Sequence, residues 1–186
     1  MLPIGRSIGR SGISPNMIST LSLAAAILGA IAYASRQPVV GALGLLGSGA
    51  IDMLDGSVAR ATGAVTKFGA VYDPVLDRYA EFAILFGMGF GGLVAWPWVV
   101  FSLCGMVMAS YTRARAESAG GLEQCRVGIA ERQEKIILLL IGSVLQPLFS
   151  AALFFAVVIV GILSHITVAQ RLHFTFENTK GARVSV

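Results

Sequence analysis

D52-M-L-D-G-S-V-A-R-A-T-G-A-V-T-K-F-G-A-V-Y-D-P-V-L-D77 holds every aspartate of the chain: Asp52, Asp55, Asp73 and Asp77. They stand three, eighteen and four residues apart. On a helix, separations of three and four put side chains on one face. The flanks, Val39 to Ile51 and Val75 to Leu93, are apolar enough for membrane helices. A carboxylate inside such a helix costs about 2.5–3.5 kcal/mol on insertion scales. Four in one short stretch require a compensating partner, and a pair of divalent cations is the natural one.

The rest of the composition agrees with a membrane setting. The 186 residues are 55% hydrophobic and only 13% charged, against about 25% charged in a soluble domain. Mean hydropathy is +0.77. This predicts an all-α integral membrane protein forming one domain over residues 1–186, with no separate soluble catalytic unit. The net charge of +4 fits basic loops beside anionic headgroups, and no nucleic-acid partner is expected. Cys104 and Cys125 form no C-x-x-C or Cys/His cluster, so neither a disulfide nor a zinc site is implied.

Outward from the aspartates, the chain divides into six helices. Residues 1–14, with Arg6 and Arg10, read as a short interfacial segment. Ser14 and Pro15 supply an N-cap and a first helical residue. The apolar run from Met17 to Ala34 then reads as a retained first span rather than a signal peptide. Helix 2 is predicted over Val39–Ala59 and helix 3 over Gly69–Leu93, joined by a polar connection from Arg60 to Lys67. Helix 4 is predicted over Trp96–Glu117. The apolar sequence from Ile136 to Val168 is too long for one crossing: at 1.5 Å per residue it would reach about 50 Å against a core of about 30 Å. Gln146-Pro147 offers a break, giving helix 5 over Glu131–Leu145, short and with Lys135 snorkelling, and helix 6 over Leu148–Leu172. Residues 174–186 read as a flexible tail. Six spans place both termini on one side, and of the 14 basic residues only Arg36 then falls opposite. The basic side is cytoplasmic by the positive-inside rule.

The end of helix 2 and the start of helix 3 thus bring four carboxylates together just inside the cytoplasmic membrane surface. Hard oxygen ligands in this number suit Mg²⁺ or Mn²⁺. Two such ions can clamp a pyrophosphate and stabilise phosphoryl displacement. Gly56 and Gly69 permit close approach of a ligand or backbone, and Arg60 lies within reach of a phosphate. A divalent-cation transporter is the competing class. It requires polar groups through the membrane midplane, and helices 4 to 6 offer almost none.

D52-x-x-D55-G56-x-x-A59-R60-(x8)-G69-x-x-x-D73-x-x-x-D77 resembles the signature of the CDP-alcohol phosphotransferase family at all eight fixed positions. The resemblance implies six membrane helices and a homodimer in the cell membrane. It implies that Asp52, Asp55, Asp73 and Asp77 hold two Mg²⁺ or Mn²⁺ ions, with Asp77 also the general base. Gly56, Ala59, Arg60 and Gly69 would line a CDP pocket. The reaction implied is transfer from a CDP-linked lipid to an alcohol, with release of CMP.

Three further segments bear on the acceptor: Y111-T-R-A-R-A-E117, E131-R-Q-E134 and Q170-R-L-H173. Arg113, Arg132 and Arg171 stand at the cytoplasmic ends of three helices. Basic residues there are expected from topology alone, yet arginine also recognises phosphate bidentately. The segments resemble the inositol-phosphate-using branch of the family, where the matching basic residues bind the acceptor's phosphate. That implies a phosphorylated polyol, myo-inositol phosphate, as acceptor; glycerol 3-phosphate would suit the same arginines. His165 reads as a packing residue.

Overall fold

The computed structural model describes residues 14–62 and 66–180, and the described side chains exclude 55–57 and 59–62. The expected interfacial segment therefore lies outside the described residues but for Ser14. Among the described residues there are six helices and no strand: α1 Pro15–Ala34, α2 Pro38–Thr62, α3 Gly69–Phe90, α4 Trp96–Ser118, α5 Arg132–Leu145 and α6 Ala152–Thr179. Two of them, α1 and α6, are long and apolar enough to cross a membrane. The α1 surface is largely hydrocarbon: Met17, Leu21, Leu28 and Ile31 are all more than half exposed. So much exposed apolar surface marks contact with something other than water.

The helix ends follow from local chemistry. Ser14 caps α1, its hydroxyl accepting from the Met17 N–H at 3.3 Å. At the other end Arg36 adopts a left-handed φ of 59°, closing the turn with Arg36 N–H to Tyr33 O and Gln37 N–H to Ala32 O. This is the residue geometry usually given to glycine after a helix. The Arg36 Nε–H donates to Gly91 O at 3.0 Å, fastening the α1–α2 turn to the end of α3.

Four boundaries differ by three residues or more from the sequence expectation. α2 runs on to Thr62, because the D-G-S-V-A-R-A segment continues the helix instead of opening it. α3 ends at Phe90, where the Gly91 and Gly92 N–H groups return to Gly87 O and Gly89 O. α6 starts at Ala152 rather than Leu148. The predicted break at Gln146-Pro147 is present, and Gln146 bridges it: its Nε2 donates to Ser150 O at 2.7 Å and its Oε1 accepts from Leu153 N–H at 2.9 Å. α6 also takes in residues 174–179 of the expected tail. There Thr175, Asn178 and Thr179 each donate a side-chain hydrogen bond to the carbonyl four residues back.

Packing centres on α1, which lies against both α2 and α3, while among the described residues α2 and α3 touch each other little. Small residues set this arrangement. A Cβ on Gly44 would lie 2.4 Å from Gly29 Cα, and one on Gly87 would lie 2.3 Å from Ala30 O. Such close backbone approach is the usual basis of helix association in lipid. α4 and α6 form a second pair, with α5 packed on α6 and reaching α2. Polar side chains tie helices together inside: Ser22 with Ser48 at 3.0 Å, and Ser102 to Val157 O at 2.7 Å. Tyr33 is fully buried and its hydroxyl meets Ser143 Oγ at 2.7 Å. Ser143 spends its own proton on Leu139 O, so Tyr33 is the donor. Tyr33→Phe is expected to cost about 0.5–1 kcal/mol of stability. A double-mutant cycle with Ser143→Ala, read by unfolding in mixed micelles, should return most of that as coupling energy.

Candidate active site

One end of the bundle collects the N-termini of α1, α3 and α5 and the C-termini of α2, α4 and α6. Contacts across this end show it: Thr20 Oγ1 meets Tyr72 Oη at 3.0 Å, and the Ile129 N–H donates to Gln170 Oε1 at 2.9 Å. Here α2 delivers Asp52 and α3 delivers Asp73 and Asp77. One carboxylate oxygen from each lies within 4.8 Å of the others, and all three residues are half-buried. The four-residue spacing of Asp73 and Asp77 puts both on the α3 face that meets α2. The side chains of Asp55, Gly56, Ala59 and Arg60 lie outside the described residues.

Asp52 Oδ1 and Asp73 Oδ1 are buried with no hydrogen-bond partner. Buried carboxylate oxygens without donors are costly. Unpartnered hard oxygens converging on one point are what a divalent cation requires. The described residues therefore fit the metal implied by the sequence.

Arg132, the first residue of α5, lies across this cluster. Its Nη1 bonds Asp52 Oδ2 and its Nη2 lies 2.8 Å from Asp77 Oδ1. Arg78 flanks the other side. It bonds Ser110 Oγ and Glu81 Oε1, the latter at 3.0 Å, and stands 3.9 Å from Asp77 Oδ2. Glu81 Oε2 is buried without a partner. It faces a small cavity that Arg132 and Lys135 also line.

Neither Arg78 nor Glu81 was among the sequence candidates. A signal existed: Glu81 is an acid in an apolar run, four residues after Asp77 and three after Arg78, hence on their face. Lys135 is a correction. Instead of snorkelling outward it is buried, at 6% exposure, because α5 turns it toward Glu81 and the cavity.

The three arginines expected to share one pocket have different surroundings. Arg132 is on the carboxylates. Arg171 is buried, donating from Nε to Val127 O at 2.8 Å and from Nη1 to Ala109 O at 2.7 Å. Arg113 is paired with Glu117 at 3.1 Å. Glu117, in the polar last turn of α4, also accepts from the Cys125 N–H at 3.0 Å. That bond, with Arg113 beside it, holds its carboxyl below the usual carboxylate range. Together these contacts clamp the 119–131 loop over α4 and α6, with Arg132 at its end. Gly69 opens α3, its N–H bonded to Thr66 Oγ1 at 2.9 Å, and an added Cβ would stand 3.3 Å from Asn16 Oδ1. His165 packs as expected, on Phe101, with Nε2 3.1 Å from Phe101 O.

The profile of the CDP-alcohol phosphatidyltransferase family matches residues 12–175. The archaetidylinositol phosphate synthase of Pyrococcus horikoshii is 39% identical over 170 residues, which cover 91% of this chain and 87% of the relative. The phosphatidylinositol phosphate synthase of Mycobacteroides abscessus is 32% identical over 180 residues, covering 92% and 81%. The crystal structure of Mycobacterium tuberculosis phosphatidylinositol phosphate synthase with CDP-DAG bound matches with a TM-score of 0.87 at 29% identity, over 100% of this chain and 98% of that one. The same enzyme in complex with manganese and citrate matches with a TM-score of 0.86 at 29% identity, over 98% and 92%.

The chain belongs to the CDP-alcohol phosphatidyltransferase family. It is accordingly a metal-dependent transferase of phospholipid biosynthesis and a membrane-associated enzyme, as the aspartate signature led us to expect.

Proposed function

We propose that the enzyme moves a phosphatidyl-type group from a CDP-linked lipid to a hydroxyl of myo-inositol phosphate, releasing CMP. The observation that carries this reading is Arg132 seated on the carboxylate cluster. A cation-binding ligand set and an anion-binding guanidinium thereby meet at one place. The synthases of P. horikoshii and M. abscessus named above support inositol phosphate as the acceptor.

In this reading Asp52, Asp55, Asp73 and Asp77 hold Mg²⁺ or Mn²⁺, two ions in all. Bound divalent cations supply the charge that neutralises a pyrophosphate and its leaving group. Gly56, Ala59, Arg60 and Gly69 line the CDP pocket. Asp77 takes the proton of the acceptor hydroxyl at a carboxylate oxygen. That hydroxyl oxygen then bonds the lipid-linked phosphorus as the bond to CMP breaks. Arg113, Arg132 and Arg171 engage the acceptor's phosphate. Arg171 contributes its second Nη group, since Nε and Nη1 hold the backbone, and this fixes the guanidinium rigidly beside the 119–131 loop. Six helices that alternate in direction support six spans within a single domain. Both termini and the site then face the cytoplasm, in a homodimer surrounded by membrane lipid.

The test is CMP release by purified protein with Mg²⁺ or Mn²⁺, using diacyl and archaeal CDP-lipids. Myo-inositol 1-phosphate, inositol and glycerol 3-phosphate are compared as acceptors. Release with inositol phosphate alone is expected. Release with glycerol 3-phosphate instead would keep the reaction class and overturn the acceptor.

A further inference from the structure

Arg132 raises a question that the acceptor role does not answer. A phosphate-binding arginine should have its fork free, but this fork is spent on two carboxylates from two helices. Its Nη1 bonds Asp52 of α2 and its Nη2 lies 2.8 Å from Asp77 of α3. The three groups are well shielded, with side-chain exposures of 24% for Arg132, 18% for Asp52 and 15% for Asp77. Fork-to-carboxylate bonds in such surroundings are strong and directional. The same two carboxylates belong to the oxygen cluster that fits a cation. A guanidinium on Asp52 Oδ2 and Asp77 Oδ1 and a dication on the same two carboxylates repel each other, so the two compete for the cluster.

We propose that Arg132 is the resident counter-ion of the carboxylate cluster: it neutralises Asp52 and Asp77 while the cluster holds no cation, and it must leave them when cations bind. The inference rests on the metal-site reading above. Two consequences follow. Metal affinity is set by competition with Arg132 as well as by the ligands themselves. And Arg132 has its fork free for an anionic acceptor only after the metals are in place, which orders the binding: cation first, phosphorylated acceptor second. Without this counter-ion, the metal-free site would bring three carboxylates together beside a low-dielectric interior with, among the described side chains, only Arg78 near them, at 3.9 Å from Asp77. Repulsion of that kind opposes folding of the α2–α3 end. The counter-ion lets the site form before it is loaded.

The experiment is Mn²⁺ titration of the full-length protein in detergent without substrate, read as free Mn²⁺ by electron paramagnetic resonance. Wild type, Arg132→Gln and Arg132→Lys are compared after each is shown to elute as a folded species. Arg132→Gln is expected to bind Mn²⁺ about tenfold more tightly, which is ~1.4 kcal/mol. Arg132→Lys keeps the positive charge and should stay within about threefold of wild type, less than 1 kcal/mol. A second measurement needs no variant: the reactivity of Arg132 toward phenylglyoxal in wild type, followed by peptide mass spectrometry, should rise when Mn²⁺ is added. Equal or weaker Mn²⁺ binding by Arg132→Gln overturns the proposal. So does equal tightening in Arg132→Lys, and so does reactivity that stays level or falls with Mn²⁺. Failure of wild type to bind Mn²⁺ would bring down the metal-site reading together with this one, whereas normal wild-type binding with an unchanged Arg132→Gln brings down this one alone.

Discussion

Asp77→Asn is expected to lower CMP release by about 10³-fold or more while the protein stays folded. Asparagine matches aspartate in shape, so the α3 face that carries it is not disturbed. What it lacks is the charge and the capacity to take a proton. General-base catalysis alone contributes about 10²–10⁴-fold, and losing one carboxylate from the cation ligand set adds to that. The surroundings sharpen the expectation. Among the described side chains, Asp77 is the one member of the cluster flanked by two guanidinium groups, Arg132 at 2.8 Å from Oδ1 and Arg78 at 3.9 Å from Oδ2. Arg132 occupies one of the two carboxylate oxygens that would take the proton, so activity in this role depends on the displacement of Arg132 described above. The measurement is a turnover assay with saturating donor and acceptor, with the elution profile as a check on folding. A loss smaller than tenfold would remove Asp77 from the base role and leave it a ligand at most.

Much of this site was legible because spacing on a helix dictates a face. Asp73 and Asp77 had to share one, and the D-x-x-D-G signature had to bring α2 up to it. The six-helix division was legible because apolar length has a ceiling set by bilayer thickness, which exposed the break at Gln146-Pro147. Partner choice was not legible. Arg113, Arg132 and Arg171 look alike in sequence, as basic residues at helix ends, yet one lies on the carboxylates, one is buried against backbone carbonyls and one pairs with a glutamate. Which neighbour a guanidinium finds depends on how the helices cross, and local pattern says nothing about that. The tail misled for a related reason. Phe174 to Thr179 is polar enough to suggest fraying, but its threonines and Asn178 satisfy the carbonyls of the preceding turn and carry the helix on. The largest omission was α1. It contains no acid or base, so nothing in its sequence points to the chemistry, yet it is the surface on which both aspartate-bearing helices are mounted.

That role of α1 yields the second large effect. Gly87→Ala, far along α3 from any aspartate, is expected to destabilise the protein by about 1–3 kcal/mol and to weaken both Mn²⁺ binding and turnover. The added methyl would lie 2.3 Å from Ala30 O and 2.8 Å from Ala30 Cα, so it meets backbone that cannot rotate away. α3 must then back off α1. Because α2 and α3 make few direct contacts among the described residues, shifting α3 on α1 moves Asp73 and Asp77 relative to Asp52, with the Arg132 fork as the tie between them. Gly47→Ala on α2 is the control. An added Cβ there meets nothing within 4 Å, and both substitutions gain the same helix propensity, about 1 kcal/mol. Gly47→Ala should therefore be neutral or stabilising in a thermal unfolding series, with unchanged Mn²⁺ affinity. If Gly87→Ala behaved like Gly47→Ala, the α1–α3 contact would not position the site. If Gly87→Ala lost stability but bound Mn²⁺ as wild type does, the contact would serve the fold alone. The expected result, loss of stability and of metal affinity together, would mean that a helix without a single charged residue sets the spacing of the carboxylates.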